Sequence, residues 1–164
     1  MATQLGLALA RSRALILCDG SNAVNRAVCQ GARAGGGIRI GFLPGSVREA
    51  ATAEFDVEVP TGIGEGRGLL VVRSAQALVA VGEESGNRRE IPFALKLGVP
   101  VIGLGVSRFA GGGLVQPLVR LAATPEEVVS VLTEIAQAAK GDTTHLWSKQ
   151  RLTTGAPATS LAAQ

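Results

Sequence analysis

Residues 14–22 read ALILCDGSN, a run of five apolar residues followed by a polar turn that contains one glycine. An apolar run of this length predicts a strand that is buried on both faces, as strands are inside a parallel sheet. Three more runs of the same kind predict further strands at residues 38–43, 77–81 and 99–104. The sequence therefore predicts a sheet that is covered by helices on both sides.

Segments with helical spacing lie between these strands, at residues 23–34, 68–75 and 87–97, and a longer helix follows at 124–140. That last helix has clear end signals, because Thr124 suits the N-cap, Pro125 suits the first helical position and Gly141 stops the helix. A short strand is expected at 118–121. Strands that alternate with helices form right-handed βαβ units, so the predicted fold class is α/β, a Rossmann-like parallel sheet flanked by helices.

The length of 164 residues suits a single domain. Residues 1–141 are expected to form a Rossmann-like nucleotide- or cofactor-binding domain. Residues 142–164 are rich in Thr, Ser and Ala and have no sustained apolar period, so we expect them to be a flexible C-terminal tail.

Composition argues against several classes of partner. The sixteen Lys and Arg residues give a net charge of +3 but form no basic block, and aromatic residues make up only 3% of the chain, so nucleic-acid binding is not expected. No apolar run approaches the roughly 20 residues that cross a bilayer, so no membrane partner is expected. Cys18, Cys29 and the single His145 lack metal-ligand spacing, and the thiols are expected to be reduced core residues of a cytoplasmic protein.

Three turns follow predicted strands, at the edge of a parallel sheet where ligands bind. They are Asp19-Gly20-Ser21-Asn22, Pro44-Gly45-Ser46 and the segment 82–87. Neither a Walker loop nor a GxGxxG fingerprint is present among them. Taken alone, each is an ordinary turn, in which Ser21, Asn22 and Ser46 serve as turn or cap residues.

Taken in order, these segments resemble one family. Four segments are similar to the corresponding segments of the Lonely Guy and molybdenum-cofactor-carrier family, once labelled "possible lysine decarboxylase". They are the helical stretch 5–10, the strand and turn at 14–20, the sequence IGFLPG at 40–45 and the sequence TGIGEGR at 61–67. The resemblance covers about residues 5–104. Several agreeing segments in the right order are stronger evidence than any single motif.

The resemblance implies a set of site residues. Arg67 and Glu90 have the spacing of the family's Arg and the Glu that closes its glycine loop, and they are the implied catalytic pair if the protein is active. The implied ligand-binding residues are Gly20, Ser21, Asn22, Pro44, Gly45, Ser46, Arg67, Gly86 and Asn87. The family also associates through helices that flank its sheet, so the resemblance implies a homo-oligomer.

The chain departs from the family pattern at several positions, and the departures fall mostly at the implied phosphate-binding turns. Two carboxylates replace loop glycines, where a side chain blocks close approach and like charge repels a phosphate. The family also opens with a strand and glycine turn that Met1 to Gln4 cannot supply, so the first family strand is expected to be missing. The substituted positions are Asp19, Ala23, Asn25, Gly68, Glu83 and Glu84.

Three functions are compatible with these features. The first is a non-catalytic or weakly active binding protein for a phosphorylated small molecule, a nucleotide or a molybdenum-cofactor-like pterin, with no cofactor required. The second is a nucleoside 5′-monophosphate phosphoribohydrolase, in which Glu90 stabilises positive charge on the sugar or positions water and Arg67 holds substrate oxygens. The third is a structural or regulatory protein that has lost the pocket. A capping box with Asn87 explains Glu90 equally well.

Overall fold

The computed structural model describes residues 1–20, 22–47, 54–82, 90–106 and 119–141. Its α-helices are α1 (Ala2–Arg11), α2 (Ala23–Ala34), α3 (Arg67–Ser74), α4 (Glu90–Lys96) and α5 (Pro125–Gly141). Its strands are β1 (Ile16–Cys18), β2 (Arg39–Leu43), β3 (Val57–Pro60), β4 (Leu78–Val81), β5 (Val101–Leu104) and β6 (Val119–Ala122). A 3₁₀ turn at Gly64–Gly66 leads directly into α3.

The described strands form two parallel sheets of three strands, in the orders β1-β2-β3 and β4-β5-β6. Leu17 of β1 is in register with Ile40 of β2, and Val79 of β4 is in register with Ile102 of β5. The Rossmann-like α/β class is therefore confirmed. Within the described residues the sheet is divided between β1 and β4, which is where the strand implied to be missing would belong.

One strand was not predicted from the sequence. β3 reads Val-Glu-Val-Pro, in which a charged residue interrupts the apolar pattern and Pro60 ends the strand. It lies at the edge of its sheet and is only partly buried, so it does not carry the continuous apolar run of the central strands.

A shared core joins the two sheets. Leu5 and Leu9 of α1, Val28 of α2 and Val128 of α5 pack with Ile102 in one cluster, which includes residues of both β1 and β4. On strand β5, Ile102 and Leu104 belong to this cluster, whereas Val101 packs with Val72 of α3 and Ala94 of α4. Because alternate residues of a strand point to opposite faces, α1, α2 and α5 cover one face and α3 and α4 cover the other.

Helices α1 and α2 approach each other at two glycines. A Cβ on Gly6 would collide with the carbonyl oxygen of Val28, and a Cβ on Gly31 would collide with that of Thr3. The two backbones are therefore closer than any larger residue at these positions would allow.

The predicted helices agree with the observed ones to within a few residues. α2 has the predicted bounds, and the Thr124 hydroxyl accepts a hydrogen bond from the Glu127 amide at 3.2 Å, as its N-cap role requires. Pro92 lies in the first turn of the described α4, which continues to Lys96. The predicted tail 142–164 lies outside the described residues. None of the described helices is long and apolar enough to span a membrane.

Candidate functional site

The first predicted turn connects β1 to α2 at the carboxyl end of the sheet. Gly20 adopts a φ of 69°, which favours glycine, and the chain then enters α2 through Asn22. The Asn22 side chain accepts a hydrogen bond from the Asn25 amide at 2.8 Å, so it is the N-cap of this helix. The Asn25 side chain in turn donates to Asp19 Oδ1 at 2.5 Å.

The second predicted turn is joined to the TGIG segment. The Gly64 amide donates to the Pro44 carbonyl at 3.1 Å, and the Gly62 amide donates to the Gly45 carbonyl at 2.9 Å. A Cβ on Gly62 would lie 3.6 Å from the Ser46 Cβ, so this glycine and serine are also neighbours. The two segments that carried the sequence resemblance therefore form one structural unit.

Arg67 links this unit to the first turn. Its side chain is buried; Nε donates to the Asp19 carbonyl at 3.1 Å, and Nη1 donates to the Gly64 carbonyl at 3.0 Å. Nη1 also lies 3.3 Å from the carboxylate of Glu65, and Nη2 lies 3.8 Å from that of Asp19. The described contacts of Arg67 are thus with the protein itself and hold two turns together. Direct contact between Arg67 and a substrate oxygen stays a prediction from the family resemblance.

Glu90 is the first residue of the described α4, and its carboxylate packs against α3. Glu90 Oε1 lies 2.6 Å from the position that a Cβ on Gly68 would occupy. Glu90 Oε2 is buried and has no hydrogen-bond partner among the described residues. A buried carboxylate oxygen without a donor is costly, which is typical of a group that receives its partner from a ligand.

A cavity of about 560 Å³ opens beside these residues. Its polar end is lined by Asp19, Asn22, Asn25, Gly68 and Glu90. The remainder is lined mainly by apolar side chains of β1, β4 and the helices around them. The volume is that of a typical small-molecule site. Polar residues outside this end also line the cavity; they are Ser12, Arg13, Gln76, Thr133 and Gln137.

The predicted site residues fall into three groups. Asn22 and Glu90 line the cavity. The other predicted site residues that the structure describes lie in the turns beside the cavity and do not line it. They are Gly20, Pro44, Gly45, Ser46 and Arg67. Ser21, Gly86 and Asn87 lie outside the described residues, as do Glu83 and Glu84.

At the polar end of the cavity, three lining residues were not among the predicted site residues: Asp19, Asn25 and Gly68. All three are positions at which the sequence departs from the family pattern. Their contacts show that the departures are coupled, because Asn25 binds Asp19 and the bare backbone of Gly68 leaves room for Glu90. The departures therefore indicate residues that line the cavity.

Cys18 also lines the cavity, and its Sγ lies 3.6 Å from that of Cys29. Both thiols are buried, as expected for small core residues. The hydrogen bond with Cys29, together with burial, raises the pKa of Cys18 above its ordinary value. Cys18 is therefore a neutral thiol and a poor nucleophile.

The fold agrees with the comparisons to known proteins. The molybdenum cofactor carrier protein from Chlamydomonas reinhardtii is 30% identical, with a TM-score of 0.74 over 84% of this chain and 86% of that one. The molybdenum cofactor binding protein from Rippkaea orientalis is 28% identical, with a TM-score of 0.70 over 82% of this chain and 85% of that one. A protein of Archaeoglobus fulgidus is 29% identical over 79% of this chain and 82% of its own length.

The family model agrees with these likenesses and covers more of the chain. The model of the SLOG cluster4 family matches residues 1–144, which include every described helix and strand. The two relatives of known structure named above are a molybdenum cofactor binding protein and a molybdenum cofactor carrier protein, which supports a ligand-binding role for the fold in general. The chain belongs to the SLOG cluster4 family.

Proposed function

We propose that this protein binds a phosphorylated heterocyclic small molecule at the polar end of the cavity, and that it has little or no catalytic activity. The ligand is a nucleotide or a molybdenum-cofactor-like pterin. The observation that carries the proposal is the buried Glu90 Oε2, which lacks a donor among the described residues and lies at a cavity of suitable size.

Glu90 selects the chemistry of the ligand. An ionised carboxylate only accepts hydrogen bonds, so the group that satisfies it must carry an N–H or O–H. The amino and ring N–H groups of a purine or a pterin, and the hydroxyls of a ribose, meet this requirement. A phosphate does not, because it would meet Glu90 as a like charge.

The phosphate is better placed over the N-terminus of α2. Asn22 caps one amide of this first turn, and the helix dipole there favours a negative group. The Asp19 carboxylate would oppose it, but the guanidinium of Arg67 lies 3.8 Å away and offsets that charge. Arg67 therefore supports anion binding by holding the turn and balancing Asp19.

The same geometry favours binding over hydrolysis. Arg67 has four acceptor oxygens of the protein around it and does not line the cavity, so Glu90 lacks the partner that the hydrolase mechanism assigns to it. The phosphoribohydrolase is kept as the second candidate because Glu90 does reach the cavity. A carboxylate beside the sugar is what an N-glycosidic cleavage needs.

Calorimetric titration with adenosine 5′-monophosphate and with a pterin monophosphate tests the binding proposal. We expect one of them to bind, and Glu90→Gln to weaken that binding about tenfold, equivalent to about 1.4 kcal/mol. Glu126→Gln is the matched control, since Glu126 is an exposed residue of α5 away from the cavity. Binding that is the same in both variants, or absent in the unaltered chain, would contradict the proposal.

Adenine release from the same nucleotide tests the second candidate. We expect release at or below a trace level. Rapid release that Glu90→Gln abolishes would establish the hydrolase instead.

Location and assembly belong to the same proposal. We propose a cytoplasmic protein, in line with two neighbouring thiols 3.6 Å apart, which suit a reducing compartment. We propose a homo-oligomer, because the inner edges of β1 and β4 are open within the described residues and open strand edges associate. Sedimentation at micromolar concentration should show a dimer or larger species, and a stable monomer would count against the assembly.

A further inference from the structure

The two cysteines of the chain lie side by side in the core. Cys18 is the last residue of β1, and Cys29 lies on α2. Their Sγ atoms are 3.6 Å apart, and both residues are buried. A disulfide has an S–S distance of about 2.05 Å, so the sulfur atoms have to approach each other by only about 1.5 Å. Since the sequence contains no other cysteine, a disulfide within this chain has to join these two residues.

One of the two thiols borders the cavity. Cys18 lines it and Cys29 does not, although the pair belongs to one core cluster. Phe55 packs against the same cluster, and its ring fills the space that a Cβ on Gly41 would need. Cys18 is only 5% exposed. An oxidant that reaches the pair therefore has to be small, and it arrives at Cys18 from the cavity.

A hydrogen bond between the thiols couples their protonation. This hydrogen bond lowers the pKa of Cys29; burial opposes the effect, and the positive charge of Arg39 adds to it. The same hydrogen bond, together with burial, raises the pKa of Cys18. When the pair loses one proton, Cys29 therefore holds the negative charge, and proton transfer along the hydrogen bond passes that charge to Cys18. The thiolate is the nucleophilic form of cysteine.

The chain between the two thiols carries much of the proposed site. Asp19, Asn22 and Asn25 all lie between them and line the polar end of the cavity. Asn25 donates to Asp19 Oδ1 at 2.5 Å, and Asn22 caps the helix that carries Cys29. These contacts depend on the separation of β1 and α2. An approach of the two sulfur atoms therefore moves the polar end of the cavity.

We propose that Cys18 and Cys29 are a site of oxidative modification, at which hydrogen peroxide that enters the cavity forms a reversible disulfide. The disulfide draws β1 and α2 together, disturbs the first turn and weakens ligand binding at the polar end. The effect on binding rests on the proposed function, whereas the disulfide and the change in the turn rest on the thiol pair alone. Reversible disulfides of this kind act as redox sensors in reducing compartments.

The reaction consumes one peroxide for each pair of thiols. Cys18, as the thiolate, attacks one peroxide oxygen: an S–O bond forms, the O–O bond breaks, and the hydroxide that leaves takes the proton of Cys29. The Cys29 sulfur then attacks the sulfenic acid on Cys18, so that the S–S bond forms and the S–O bond breaks. The second hydroxide combines with the proton that the pair first lost. Two thiols and one peroxide thus give a disulfide and two waters, and exchange with an added thiol returns the two electrons.

Thiol content and intact mass test whether the disulfide forms. Treatment of the reduced, folded protein with hydrogen peroxide should remove both thiols and lower the mass by two hydrogen atoms, and dithiothreitol should restore both thiols. In the Cys29→Ala variant, the Cys18 thiol should be lost about tenfold or more slowly, because it lacks the partner that holds the charge and traps the sulfenic acid. Two thiols that survive the treatment, or links between chains in place of the internal disulfide, would overturn the proposal.

Amide hydrogen exchange tests the effect on the first turn. The Asn25 amide donates to the Asn22 side chain at 2.8 Å, so its exchange reports on the cap of α2. We expect this exchange to become about tenfold or more faster on oxidation of the unaltered chain, and to stay the same in peroxide-treated Cys29→Ala. Unchanged exchange in the protein that carries the disulfide would overturn the coupling between the thiols and the site.

Calorimetric titration of the reduced and the oxidised protein tests the effect on binding. The probes are adenosine 5′-monophosphate and the pterin monophosphate. We expect the disulfide to weaken binding about tenfold, and dithiothreitol to restore it. Equal affinity of the two forms would overturn the regulation of the site. Absence of binding by the reduced protein would contradict the proposed function instead, and the exchange of the Asn25 amide would then decide the coupling by itself.

Discussion

The carboxylate of Glu90 occupies the space that a side chain on Gly68 would fill, with Oε1 2.6 Å from the position of a Cβ there. The two residues lie on different helices, α4 and α3, and both line the cavity. Glu90 Oε2 is also buried without a hydrogen-bond donor in the part of the chain that the structure describes. The bare backbone at Gly68 is thus what allows Glu90 to present its carboxylate to the cavity.

Replacement of Gly68 by Asn should therefore displace Glu90. The colliding atom is the far end of a flexible side chain, so the fold adapts and the free energy of unfolding should change by less than about 1 kcal/mol. Ligand affinity should fall as far as it does in Glu90→Gln, since the carboxylate no longer points to the ligand. Calorimetry on Gly68→Asn checks this, and unchanged affinity would mean that Glu90 does not contact the ligand.

The contact between α1 and α2 gives a prediction about stability. Gly31→Ala places a methyl group against the Thr3 carbonyl, which is backbone and cannot rotate away. Alanine improves helix propensity by about 1 kcal/mol, but the clash costs about 1–3 kcal/mol, and separation of the helices also loses core contacts. We expect a net loss of about 1–2 kcal/mol in urea unfolding. Gln30→Ala, at an exposed neighbouring position on α2, should leave stability the same or slightly higher.

The ion pair at the opposite end of β2 gives a prediction about pH. The Arg39 side chain donates to both oxygens of Asp56, at 2.8 and 2.9 Å, and lowers the pKa of Asp56 to about 2. The unfolded value is about 3.9, so the pair stabilises the fold fully above that pH and loses its effect as the pH falls towards 2.

Asp56→Asn should therefore cost on the order of 1 kcal/mol at neutral pH, a modest value because the Asp56 side chain is 41% exposed and screened by solvent. The difference in unfolding free energy between the two proteins should shrink between about pH 4 and pH 2. Chemical unfolding at a series of pH values measures it. A difference that stays constant down to pH 2 would show that the charge of Asp56 is not the cause.

The thiol pair gives a prediction about reactivity. Cys18 and Cys29 are both buried, and the pKa of Cys18 is raised, so the fold should protect at least Cys18 from alkylation. We expect iodoacetamide to modify Cys18 on the order of a hundredfold or more slowly in the folded protein than in denaturant. Mass spectrometry of a Cys29→Ala variant reports Cys18 alone. Rapid modification would contradict its burial at the cavity.

Much of the fold could be predicted because its signals are local. The apolar runs at β1, β2, β4 and β5, and the cap residues Asn22 and Thr124, are read from a few consecutive positions. β3 was missed because its local signal is weak: Glu58 interrupts its short apolar run. The strand is stabilised instead by its pairing with β2, which a local pattern does not show. Of the predicted site residues, Asn22 and Glu90 line the cavity and the other described members form the turns around it, and their part in ligand binding stays a prediction.

The sequence by itself determined the α/β class, the order of the elements and the family, because alternating strands and helices and ordered motifs are properties of the linear chain. The tertiary structure decided the role of Arg67, whose acceptor in Asp19 lies 48 positions away, and the contact of Glu90 with Gly68. It also decided that β1 and β4 line one cavity while belonging to separate sheets within the described residues. Such relations depend on how distant segments pack, and no local pattern of residues encodes them.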